Sequence, residues 1–202
     1  MARPKQTGNE TETRDRLLVA AEAEFGRVGF DRARLEDIAK VAGISRPSLL
    51  YHFETKEKLY ERVVRNVFNK IGELFMESIK DAGDFRERLD RVIVRYIAFV
   101  DEHPAVALIV LRELLDASPF SRRIITNEVL PLLDEVARFI ERDGKGYVPN
   151  GMPIRPVIAQ IAMSIIVRSA SGELKDALYG DADATRTIVS AMLQSKVLQK
   201  KA

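Results

Sequence analysis

Apolar residues recur three and four positions apart along almost the whole chain, and no segment alternates apolar and polar long enough to make a strand. That spacing is one face of a helix. The fold class is therefore all-α. The chain has 202 residues, enough for one domain of fair size or two small ones with a real core. Only 11 glycines and 8 prolines punctuate it, which argues against a turn-rich β-sandwich.

The breaks give the helix ends. Leu17, Leu18, Ala21, Phe25 and Val28 share a face of a helix from about Glu12 to Val28, closed by Gly29. Leu35, Ile38, Ala39 and Ala42 mark a short second helix, stopped by Gly43. Ser45 caps a third, with Pro47 in its first turn, where a missing N–H costs nothing. A long helix over about Lys56–Lys80 follows. Further helices are expected at about 85–102, 105–117 and 121–143, the last kinked at Pro131. After the loop 144–153 come helices at about Ile154–Ala170 and Ala184–Leu198, with a short helical piece between Gly172 and Gly180.

Composition removes several functions. There is no cysteine, so no disulfide scaffold and no thiolate metal site. His52 and His103 stand far apart, which gives no metal constellation, and His103 before Pro104 reads as a turn histidine. No glycine-rich phosphate loop and no nucleophile elbow occurs. The expectation is a non-enzyme without cofactor or metal. No apolar run reaches membrane-spanning length, and the polar start lacks the apolar stretch of a signal peptide, so a cytoplasmic protein with no membrane partner is expected.

"VAGISRPSLLYHF", residues 41–53, holds no acid in a chain that is 31% charged. Two short helices joined by a tight glycine turn make a helix-turn-helix. Ala39 is small enough for a close helix crossing, Ile44 reads as a buried plug, and Leu49 and Phe53 face the core. Ser45, Arg46, Pro47, Ser48, Tyr51 and His52 are left near the outer face. A carboxylate there would repel the phosphates of a duplex, whereas a helix N-terminus attracts them. Arg46, in the first turn, is placed to read a base edge or hold a phosphate. Arg3 and Lys5 form a basic arm within a flexible stretch, residues 1–11, able to reach a minor groove.

Over residues 12–60 the chain resembles the tetracycline-repressor (TetR) family of bacterial transcription regulators. The resemblance is carried by Ala21 and Phe25 before Gly29-Phe30, by "IAKVAGIS" at 38–45, by Tyr51-His52-Phe53, and by Lys56-Glu57-Lys58-Leu59 opening the fourth helix. It implies a DNA-binding domain over 1–55 and a ligand-binding and dimerisation domain over 56–202. It implies phosphate contacts from Tyr51, His52 and Lys56. Arg34 stands where the family often has a capping threonine; it can reach a phosphate, but the cap is lost. Leu50 stands where a tyrosine is common, so one phosphate hydroxyl is absent.

The implied function is a ligand-released repressor that binds a palindromic double-stranded operator as a homodimer. The dimer is expected through Ile158, Ile161, Ala162 and Ile165, together with Ile188, Met192, Leu193 and Val197. The segments "VIVRYIAFV" and "AVALIVLRELL" are apolar nearly all round, which fits a filled core as well as a cavity; the resemblance implies a cavity and an apolar or amphipathic small-molecule effector. The expected pocket walls are Phe75, Tyr96, Phe99, Leu111, Leu115 and Phe139, with Arg112, Glu113 or Asn127 as polar anchors. A purely architectural DNA binder would have no need of residues 85–200.

Overall fold

The computed structural model describes residues 7–116 and 118–194. Eleven α-helices order these residues: α1 (Thr7–Arg32), α2 (Leu35–Val41), α3 (Arg46–Phe53), α4 (Lys56–Lys80), α5 (Phe85–Glu102), α6 (Pro104–Leu115), α7 (Pro119–Ile124), α8 (Leu130–Asp143), α9 (Ile154–Ala170), α10 (Lys175–Tyr179) and α11 (Ala182–Gln194). No strand occurs among the described residues. Arg3, Lys5 and Val197, and the end of the last expected helix, lie outside them.

The chain divides into two units, residues 1–67 and 68–202. The boundary expected at 55/56 falls later, inside α4. The reason is that Leu59, Tyr60, Val63 and Val64 are buried, and Tyr60 packs on the N-terminal unit's aromatics. Its ring lies 4.8 Å from that of Phe25 and 5.2 Å from that of Phe30. Leu17, Ala21, Ile38, Leu49 and Phe53 complete this core. Burying each large side chain stabilises the unit by about 1.5–3 kcal/mol.

Local chemistry sets the helix ends. Gly29, at φ 80° and ψ 170°, breaks the regular run of α1, and one further turn follows. At the end of α2, Gly43 takes φ 73°. Its N–H donates to Lys40 O, and the N–H of Ile44 donates to Ala39 O. That pair of bonds is the Schellman stop, which needs a left-handed residue. The Ile44 side chain is half-buried, so Ile44 closes the turn chiefly through its backbone and is not the buried plug expected.

In the C-terminal unit, Asp84 opens α5 with a reciprocal capping box to Glu87. Pro131 does not simply kink one long helix. Residues 125–129 form a π-helical turn ahead of it, and α8 starts afresh with Pro131 in its first turn. The proline has no N–H for the α-helical bond, and the widened turn absorbs the mismatch. α9 packs against α6, α8, α5 and α11, so it is covered on several sides, as its nearly continuous apolar sequence requires.

A buried arginine ties the far end of this unit. Arg168 is 2% exposed. Its guanidinium donates to both carboxylate oxygens of Asp101 at 3.0 and 2.7 Å, to Asp176 at 2.7 Å, and to the Gly180 carbonyl at 3.1 Å. Ser169 adds a bond to Val100 O. α5, α9 and α10 meet on this one side chain.

Candidate nucleic-acid interface and internal cavity

α3 is built to present its first turn. The Ser45 hydroxyl accepts the Ser48 N–H, and Pro47 follows the cap directly. Leu49 and Phe53 anchor the inner face. Ser45, Arg46 and Pro47 are exposed, Ser48 and His52 are half-buried, and Tyr51 is 77% exposed. An aromatic ring that open on a helix with no acid has no packing purpose. The Tyr51 and His52 rings meet edge-on at 5.5 Å. Glu54, at φ 57°, turns the chain out of α3 before α4 begins.

Two expected contacts are already engaged. Arg46 Nε lies 2.9 Å from Glu36 Oε1 on α2. The pair is exposed, so it contributes only about 0–1 kcal/mol, and a phosphate or base edge can replace the carboxylate cheaply. Lys56 donates one N–H to Asp31 O at 3.2 Å and sits 4.6 Å from the Phe30 ring centroid. An ammonium has two further protons to offer. Arg34 is exposed and makes no side-chain cap on α2, as the missing threonine implied. Glu36 is the residue of this face that sequence reasoning missed. The only available signal was its place in the first turn of α2, which does not say what it faces.

The residues matched by the family model of bacterial regulatory proteins, tetR family, are 17–63, the segment that holds α2 and α3. The chain belongs to the TetR family. Among TetR-family relatives, the HTH-type transcriptional regulator RutR of Escherichia coli K12 is 32% identical over 148 residues. That match covers 69% of this chain and 65% of RutR's own length, short of two thirds. The biofilm operon icaADBC HTH-type negative transcriptional regulator IcaR of Staphylococcus epidermidis is 30% identical over 89 residues, covering 44% of this chain and 48% of IcaR. The TetR fold extends past the matched segment. The structure of FadR from Bacillus subtilis, solved in complex with stearoyl-CoA, superposes with a TM-score of 0.72 at 18% identity, covering 89% of this chain and 97% of FadR.

The C-terminal unit contains a cavity of about 200 Å³. Phe68, Ile71 and Phe75 of α4, Tyr96 of α5, Leu132 and Val136 of α8, and Ile161 and Ala162 of α9 are among its walls. Of the expected wall residues, Phe75 and Tyr96 line it. Phe139 is buried behind the wall, its ring 5.9 Å from that of Phe75. Phe99, Leu111 and Arg112 are half-buried off the cavity, Phe99 against His103. Leu115 is 82% exposed and Asn127 faces solvent. Glu113 is buried but lies off the wall. For the α5 and α6 residues the cause is that the apolar runs "VIVRYIAFV" and "AVALIVLRELL" do not mark the side that meets a void.

The expected dimer residues divide. Ile158, Ile161 and Ile165 of α9 and Leu193 of α11 are buried within the protomer and, with Ala162, line the cavity. Ile188 and Met192 of α11 remain 56% and 37% exposed. The outer stripe of α9 is instead Pro156, Gln160 and Ser164, a run too polar to stand out in a search for apolar bands.

No single helix among the described residues is long and apolar enough to cross a membrane. No group of three or more His, Asp or Glu among them could hold a metal ion.

Proposed function

We propose that this protein is a cytoplasmic transcriptional repressor that binds a palindromic operator as a homodimer and releases it when a small molecule enters the cavity. The observation that carries the reading is α3: serine-capped, free of acid, with Tyr51 and Arg46 exposed on its outer face. α3 enters the major groove. Arg46 leaves Glu36 for a base edge or phosphate, and Ser45, Ser48, Tyr51 and His52 hold the backbone. Pro47 offers a thymine methyl an apolar surface, while Arg34 and Lys56 contact flanking phosphates. IcaR, named a negative regulator, supports repression as the sense of control.

The partner copy meets the outer stripes of α9 and α11, Gln160 and Ser164 beside Ile188 and Met192. Two-fold pairing there matches a two-fold operator. Release is a population shift: a ligand that favours a protomer shape misplaced for the operator must weaken DNA binding, and DNA must weaken ligand binding by the same factor. α4 lines the cavity with Phe68, Ile71 and Phe75 and begins at Lys56, directly after α3.

Footprinting with duplex fragments flanking the gene tests this reading. The expected result is one protected palindrome, lost on Ile188→Asp together with the dimer mass in sedimentation. No protected segment at micromolar protein and low salt would reject it.

A further inference from the structure

We infer that the cavity takes an uncharged, mainly hydrocarbon molecule with a single hydrogen-bonding group, and that the Tyr96 hydroxyl recognises that group. This deepens the ligand-released reading and rests on it.

The walls decide the chemistry. Among the described residues no wall residue is charged, and the Tyr96 hydroxyl is their only hydrogen-bonding side-chain group apart from the weak thioether acceptor of Met163. Arg112 and Glu113 of α6 and Arg168 of α9 do not serve as walls. Arg112 and Glu113 lie off the cavity, and Arg168 is held by Asp101 and Asp176. The wall residues belong to helices, whose amide N–H groups past the first turn are already bonded within the helix. An ionised ligand group would lose its hydration there and gain nothing in return.

Tyr96 is different from its neighbours. It keeps part of its surface open, on the cavity wall. Its hydroxyl has no hydrogen-bond partner among the described residues, and burial alone pushes the phenol up from its ordinary value. It therefore stays protonated and can both donate and accept. A hydroxyl that opens on an apolar cavity and has no protein partner is free to bond a ligand group there. Size narrows the class further. The volume of about 200 Å³ compares with engineered apolar cavities of about 150 Å³ that bind benzene. A substituted single ring or a short alkyl chain fits.

Three probes with one propylphenyl body test this on the full chain without DNA, by calorimetry and thermal shift at pH 7.5: 4-propylphenol, propylbenzene and the anion 4-propylbenzoate. Both neutral probes should bind and stabilise the protein, with the benzoate at least ~100-fold weaker than the phenol. Tyr96→Phe should fold as the parent does, since the hydroxyl has no protein partner. It should lower the ratio of phenol to propylbenzene affinity about tenfold and leave propylbenzene unchanged. The inference is overturned if the benzoate binds as tightly as the phenol, if neither neutral probe binds, or if Tyr96→Phe leaves the ratio unchanged. A separate gel shift with saturating 4-propylphenol keeps the two readings apart. Binding with the expected preferences but an unaltered operator complex rejects ligand release and supports the cavity assignment. A charged probe that binds the cavity and frees the operator does the reverse.

Discussion

Replacing Arg168 by Met removes the group on which α5, α9 and α10 converge. Four hydrogen bonds disappear: two to Asp101, one to Asp176 and one to the Gly180 carbonyl. Breaking a buried pair by removing one partner costs about 3–5 kcal/mol, because the other charge is stranded. Two features lower that figure here. Lys175 also pairs with Asp101, at 3.3 Å. Asp176 is 61% exposed and regains water when released. The expected loss is about 2–4 kcal/mol, roughly 5–15 °C in melting temperature for a chain this long. Urea unfolding followed by circular dichroism would measure it. The reasoning also fixes a sign: Asp101→Asn added to Arg168→Met removes the stranded carboxylate. The double variant should therefore be no less stable than Arg168→Met alone. A loss below about 0.5 kcal/mol for the single variant, or a double variant destabilised by the full sum, would refute this account.

Ser45→Ala removes the cap of α3 and should cost about 0.5–2 kcal/mol in the N-terminal unit, with weaker binding to every duplex sequence; hydrogen exchange on α3 would show it. Asp143, at the end of α8, is held below the usual carboxylate range by its hydrogen bond to Arg142, with Arg88 adding to the effect. A depressed carboxylate contributes stability above its unfolded pKa of about 3.9 and loses it as pH falls through the lower folded value. Asp143→Asn should therefore be less stable than the parent at pH 7 and converge with it below about pH 4 in urea titrations.

The boundary between α2 and α3 was legible in the sequence because chemistry specific to single residues sets it: the glycine after α2 and the serine before α3. The outer face of α3 was legible for the same reason, since leaving out acid is a visible choice. Interior geometry was much less so. The apolar bands of α9 and α11 promised a partner, yet Ile158, Ile161, Ile165 and Leu193 are spent inside the protomer. A helix apolar on all sides does not reveal which side a second copy would cover. The Glu36–Arg46 pair and the Arg168 cluster join residues from separate helices, and helical periodicity carries no information across a turn. An arginine inside the apolar run "SIIVRSA" was a usable sign of a buried, paired charge.

The central claim is that α3 reads duplex DNA, and operator affinity of the folded Arg46→Ala, Tyr51→Ala double variant tests it most directly. Tyr51 is too exposed to matter for the core, and Arg46 makes only a surface ion pair, so the variant should melt as the parent does. In gel shifts over a series of salt concentrations, its affinity for the footprinted operator should fall to the level of a scrambled duplex, and its dependence on salt should be shallower because fewer counterions are released. Operator affinity and salt dependence equal to the parent's, in a protein that melts normally, would contradict the claim.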